Sequence, residues 1–120
     1  GAALAPDPYI LPSMLVAAVI DECGGETSNI GPNTPLDVLR CGTVDLPEGE
    51  RPDLAWLSIS IIDDGREQSN QVSEFARDCN EAGILLAVGG RDIGHLSLEH
   101  VPGMTMHASL QSIADLTASI

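Results

Sequence analysis

The side chains of this chain that could do chemistry are few: His95, His100 and His107, the adjacent acids Asp63 and Asp64, and a loop in which Tyr9 follows Asp7 by two residues. A histidine can ligate a metal or move a proton near neutral pH. A zinc site needs several ligands at close spacing, and His95 and His100 stand five apart with no third ligand in step. Asp63 and Asp64 could form half of a magnesium site. A phosphoryl-accepting site of that kind also needs further acids after the first strand and a lysine after the fifth. Only Asp7 stands in the first place and the chain has no lysine, so the Asp pair is read as a solvated turn. No Gly-x-Ser-x-Gly elbow and no nucleophile beside a base occur, and the chain is expected not to be an enzyme.

Charge narrows the partners. Eighteen acids against five arginines give a formal net charge of -13, which repels a phosphate backbone or an anionic membrane. Nucleic acid and membrane are therefore excluded as expected partners, and a protein partner should present arginine or lysine. The missing lysine also removes Walker-type phosphate binding and Schiff-base chemistry. Cys23, Cys41 and Cys79 are odd in number and form no Cys-x-x-Cys pair, which suits a reducing cytoplasm and buried, inert thiols. No run approaches the ~18 apolar residues of a membrane span, and the first residues carry no basic region or cleavage site, so a cytoplasmic location is expected. At 120 residues the chain is expected to be one domain, with Gly1 and Ala2 as a cloning remnant and the whole cut from a longer protein.

The elements that must position these side chains are organised around residues 54–62, Leu-Ala-Trp-Leu-Ser-Ile-Ser-Ile-Ile, closed by Asp63, Asp64 and Gly65. A nearly continuous apolar run of that length is a strand covered on both faces, the centre of a parallel sheet. Before it come a strand stub over residues 2–5 and a helix over 11–23, with Leu11, Met14, Leu15, Ala18 and Val19 recurring at helical spacing and Gly24 and Gly25 ending it. A second strand is expected over 26–30, and Thr34 should cap a brief helix through Leu39. After it come a helix over 67–82 with Val72, Phe75, Ala76 and Cys79 on one stripe, a strand over 84–88, a short helix near 92–99, a strand over 104–106 and a last helix capped by Ser109. Leu15, Val19, Val72 and Phe75 should face inward. Strands alternating with helices predict an α/β fold: a five-stranded parallel sheet, doubly wound in flavodoxin-like order.

In such sheets ligands bind beyond the carboxyl ends of the strands. This directs attention to residues 6–12, 58–65, 88–95 and His107. Gly89 and Gly90, lacking a Cβ, let something approach the sheet edge. A partner contact is expected at this edge, around Tyr9, Asp63, Asp64 and residues 91–95, with Tyr9 and Pro12 partly filling the cleft.

The order of pieces resembles the cobalamin-binding domains, whose pattern is an Asp-x-His-x-x-Gly loop, a Gly-x-Asn-x-Pro loop, Pro-Asp-x-x-x-x-Ser before the middle strand and Val-Gly-Gly after the next. This chain matches with Asp7, with Gly31, Asn33 and Pro35, with Pro52, Asp53 and Ser58, and with Val88, Gly89 and Gly90. The resemblance implies that Asp7 tunes the loop ligand and that Ser58 contacts the nucleotide tail of the cofactor. Tyr9 stands where the cobalt-ligating His is expected, Pro12 replaces the Gly that makes room for the tail, and Ile62 replaces a Thr or Ser. A phenol with a pKa near ~10 is a poor cobalt ligand at neutral pH, so ordinary cobalamin binding is disfavoured.

Within that family the chain looks similar to the "sensor containing heme instead of cobalamin" (SCHIC) domains of AppA-type antirepressors, which also lack the loop His. That resemblance implies a non-enzymatic sensory or regulatory module in control of photosynthesis gene expression. Its partner would be a transcriptional repressor or a neighbouring sensor domain, and its cofactor, if any, heme. The iron ligand would be His107, which should emerge at the end of the fifth strand, before His95 or a thiol, with His100 on the surface. The alternative is a genuine cobalamin carrier or sensor that needs no protein His.

Overall fold

Short apolar runs alternating with helical stripes build a parallel sheet, because each crossover returns the chain to the same edge. The computed structural model describes residues 1–120 apart from 7, 9, 10, 61, 63, 92, 99 and 108, and apart from the side chain of residue 95. Its strands are β1 (Ala2–Leu4), β2 (Gly31–Thr34), β3 (Leu54–Ser58), β4 (Leu85–Gly89) and β5 (Met104–His107). Its helices are α1 (Leu11–Glu22), α2 (Leu36–Cys41), α3 (Gly65–Glu81) and α4 (Leu110–Ala118), with single 3-10 turns at Glu48–Glu50 and Ile93–His95. Every neighbouring pair of strands runs parallel, in the order β2-β1-β3-β4-β5. This is the expected five-stranded α/β sheet of flavodoxin-like topology, with β3 at its centre. No helix among the described residues is long and apolar enough to cross a membrane.

β3 sends alternate side chains to two unequal layers. Ala55, Leu57 and Ile59, with Leu86 and Val88 of β4, join Val72, Phe75, Ala76 and Cys79 of α3 and Leu36 and Leu39 of α2 in the larger core. Phe75 is fully buried, and its burial stabilises the fold by about 3 kcal/mol. The expected stripe of α3 is therefore the inward one. Asp64 starts that helix, its side chain accepting a hydrogen bond from the Glu67 N–H at 3.1 Å, and Arg40 ties α2 to it through Asp78 at 2.6 Å. The other layer is thin. Trp56, Ala87, Ile20 and Ile113 are buried there, with Val16, Ala17, Val19 and Leu116 half-covered around them.

Several local expectations are corrected. β2 begins at Gly31, not at residue 26, and is Gly-Pro-Asn-Thr with no apolar run. It is an edge strand, which needs no second apolar face and tolerates a proline that cannot donate to the ladder. Thr34 caps nothing; Pro35 precedes α2, and the Thr34 hydroxyl donates to the Gly31 carbonyl at 3.0 Å. β3 ends at Ser58 instead of residue 62, with the Ile59 N–H donating once more to the Gly89 carbonyl at 2.7 Å. β1 spans Ala2–Leu4 and is buried throughout, ending one residue before the expected stub over residues 2–5.

The inward face of α1 is also displaced. Leu11 and Leu15 are 61% and 41% exposed, Val19 is half-buried, and the fully covered positions are Ser13 and Ile20. Leu15 was expected to face the sheet. A helix apolar nearly all round has no stripe to phase it, and polar bonding decides instead: the Trp56 indole N–H donates to Ser13 Oγ at 2.9 Å, and Ser13 donates to Asn29 Oδ1 at 2.8 Å.

Candidate functional site

Register brings part of the predicted site together. Ser58 pairs with Gly89, and Gly89 with His107, so the three lie in one row across the carboxyl ends of β3, β4 and β5. Above this row, between the first turns of α1 and α4, is an apolar cleft of about 260 Å³. Trp56 and Leu57 lie at its base, Leu15 and Val16 on the α1 side, Ile113 on the α4 side and His107 at its polar edge. Pro12 lines the cleft; Tyr9, expected to fill it partly together with Pro12, lies outside the described residues.

Gly89 and Gly90 line the cleft as well, but the contact that requires glycine is with the protein's own backbone. A Cβ on Gly90 would stand 2.2 Å from the Ile59 carbonyl oxygen, and φ there is +125°. One on Gly89 would stand 2.8 Å from the His107 carbonyl. Close passage of neighbouring strands thus accounts for both residues.

His107 is held at both ring nitrogens. Nδ1 lies 2.8 Å from Ser112 Oγ, and Nε2 lies 2.6 Å from Thr105 Oγ1. Ser112 also donates its single hydroxyl proton to the Ser109 carbonyl at 2.8 Å, which leaves its oxygen to accept from His107 Nδ1–H. The network therefore assigns the tautomer with a proton on Nδ1 and the Nε2 lone pair facing the Thr105 hydroxyl. Burial lowers the pKa of this imidazole from its ordinary value, favouring the neutral form. Ser109 fixes the turn below it, its hydroxyl oxygen capping α4 through the Ser112 N–H at 3.3 Å.

Other predicted residues fall elsewhere. Asp7, Tyr9 and Asp63 lie outside the described residues, as does the side chain of His95, whose backbone forms the short turn after β4. His100 is exposed, as expected, and Ile62 packs against the larger core. Asp64 is exposed ahead of α3, as expected of a solvated turn residue, and its carboxylate also caps that helix. Cys23 and Cys41 are exposed rather than buried, and only Cys79 is the enclosed, inert thiol, its pKa pushed up to about 12 chiefly by burial. Among the described residues no three metal-ligating side chains gather. Residue types alone did not reveal Ser13, Ser112 or Thr105. Ser109 was visible as a cap, and a hydroxyl three residues after it was the available signal for Ser112.

No protein-family model and no curated protein matches this chain.

Proposed function

We propose that this domain is a non-enzymatic sensory or regulatory module of the SCHIC kind, in control of photosynthesis gene expression, which takes a flat apolar ligand of the tetrapyrrole class at the carboxyl edge of its sheet and binds a protein partner. The observation that carries the reading is His107 at the edge of an apolar cleft. It is neutral, anchored through Nδ1–H to Ser112, and has its Nε2 lone pair opposed by an exposed threonine hydroxyl that can rotate away. A metal-ligating histidine characteristically has one nitrogen fixed by an outer hydrogen bond and the other free to coordinate. The cleft walls suit an apolar ring. At about 260 Å³ the cleft is a little below the ~300–1,000 Å³ of sites that enclose a whole drug-sized ligand, so a tetrapyrrole would enter by one edge. Heme, when bound, supplies an iron centre able to bind O2 or transfer an electron.

A second reading, a cobalamin carrier or sensor, is favoured by one observation: Ser58, Gly89 and Gly90, three of the residues that carry the family resemblance, all line the cleft. Absorption titrations of the purified domain with hemin and with hydroxocobalamin separate the two. Hemin should give a shifted Soret band and quench Trp56, the single tryptophan, while His107→Ala should abolish the shift and His100→Ala should leave it. A Soret shift that survives His107→Ala would defeat the heme reading. Saturation by hydroxocobalamin alone would establish the second.

A further inference from the structure

We propose that the face of α1 and α4 around the mouth of the apolar cleft docks a basic amphipathic helix of a protein partner, its apolar stripe on Leu11, Leu15 and Leu110, which line that mouth, and its arginines or lysines over Asp21, Glu22 and Asp115. This deepens the reading of the domain as a protein-binding regulatory module. In a chain of eighteen acids and five arginines, residues 11–20 and 101–114 contain no Asp, Glu, Lys or Arg. The fold sets these segments side by side: Val16, Ala17 and Val19 of α1 pack in one cluster with Ile113 and Leu116 of α4. Of the eight large hydrophobic residues exposed on the described surface, four belong here: Leu11, Met14, Leu15 and Leu110. Charge depletion combined with exposed large apolar side chains is the signature of an interface core.

Charge complementarity chooses the occupant. Both helices follow parallel strands, so they run in the same direction and end at the amino edge of the sheet. Neither has a basic residue in its last turn to meet the negative end of the helix dipole. Asp21, Glu22 and Asp115 are exposed toward that end, and the hydrogen-bond donors of Asp21 and Asp115 are neutral, the Thr27 hydroxyl and the Gln111 amide, each within 3.0 Å. Along α1 one exposed stripe thus passes from apolar at Leu11 and Leu15 to acidic at Glu22, about 10 Å further on at 1.5 Å per residue. A second copy of the chain would bring another net charge of -13 and the same acids against these. A basic helix of about three turns, apolar along one stripe, answers both ends of the face.

The probe is a synthetic Leu/Arg peptide of amphipathic helical pattern, compared with an isomer of identical composition whose leucines are scattered around the helix. Amide chemical shifts of the full chain should move in α1 and α4 with the amphipathic peptide. Its affinity should exceed that of the isomer by about 10-fold, the loss expected when one apolar anchor is removed. Leu11→Asp with Leu110→Asp should erase this preference, and Asp21→Asn, Glu22→Gln and Asp115→Asn together should flatten its salt dependence. Equal binding of both isomers, shifts centred on α2 and α3, or self-association abolished by Leu11→Asp would each overturn the proposal. Hemin binding is measured on the unsubstituted protein without peptide, since Leu11, Leu15 and Leu110 also line the cleft: its absence with helix docking intact defeats the heme reading alone, and its presence with docking absent defeats this one alone.

Discussion

His107 and Cys79 show one physical cause acting with opposite sign on a base and an acid. Desolvation disfavours charge, so it lowers the imidazole pKa and raises that of the thiol, against which the Arg40 charge pulls with a smaller effect. For His107 the sign has a measurable consequence. A depressed pKa keeps Nε2 unprotonated as pH falls past the ordinary histidine value of ~6.5. Hemin affinity, followed by the Soret band, should hold through that pH and decline only below it, whereas an unperturbed ligand would be half protonated there. The unfolded chain binds the proton more readily than the native one in this window, so stability should fall as pH is lowered across it, and His107→Gln should remove that increment in urea unfolding. Sequence placed His107 at the end of a strand correctly, because the strand was legible. Its tautomer was not legible, since that depends on the Ser112 hydroxyl, whose proton the Ser109 carbonyl takes in the first turn of α4.

Among the elements, α3 and α1 mark the limits of reading periodicity. α3 alternates charged and apolar residues, so its buried stripe follows from spacing alone, and Asp64 and Gly83 punctuate it. α1 carries apolar residues on every side, and its orientation is set by a hydroxyl that spacing would have assigned to solvent. This reverses the order of mutational damage expected from hydrophobicity. Ser13→Ala leaves the buried Trp56 N–H without its acceptor and Asn29 without its donor, and should cost about 1–3 kcal/mol. Leu15→Ala, on the exposed side, should change stability by less than about 0.5 kcal/mol. Urea denaturation followed by Trp56 fluorescence compares them directly, and a larger loss for Leu15→Ala would contradict the packing of this helix. β2 was illegible for a related reason: an edge strand is held by backbone pairing to β1, and Gly-Pro-Asn-Thr advertises none of it.

At the scale of the whole molecule, strand order followed from the alternation of elements and the rules of parallel crossover, while the inequality of the two layers did not. One layer holds Phe75, Leu39, Leu57, Leu86 and most of the buried side chains; the other has Trp56, Ile20, Ala87 and Ile113. Local opening free energy follows buried apolar contact, so amides of α1 and α4 should exchange with solvent faster than those of α3, β3 and β4. Native-state hydrogen exchange measures this, and equal protection of α1 and α3 would refute it. The thin layer also has a consequence for how such a domain tolerates change. Substitutions on the outward positions of α1 and α4 leave the larger core untouched, so that side can vary in sequence while the sheet and α3 keep the fold above its stability threshold.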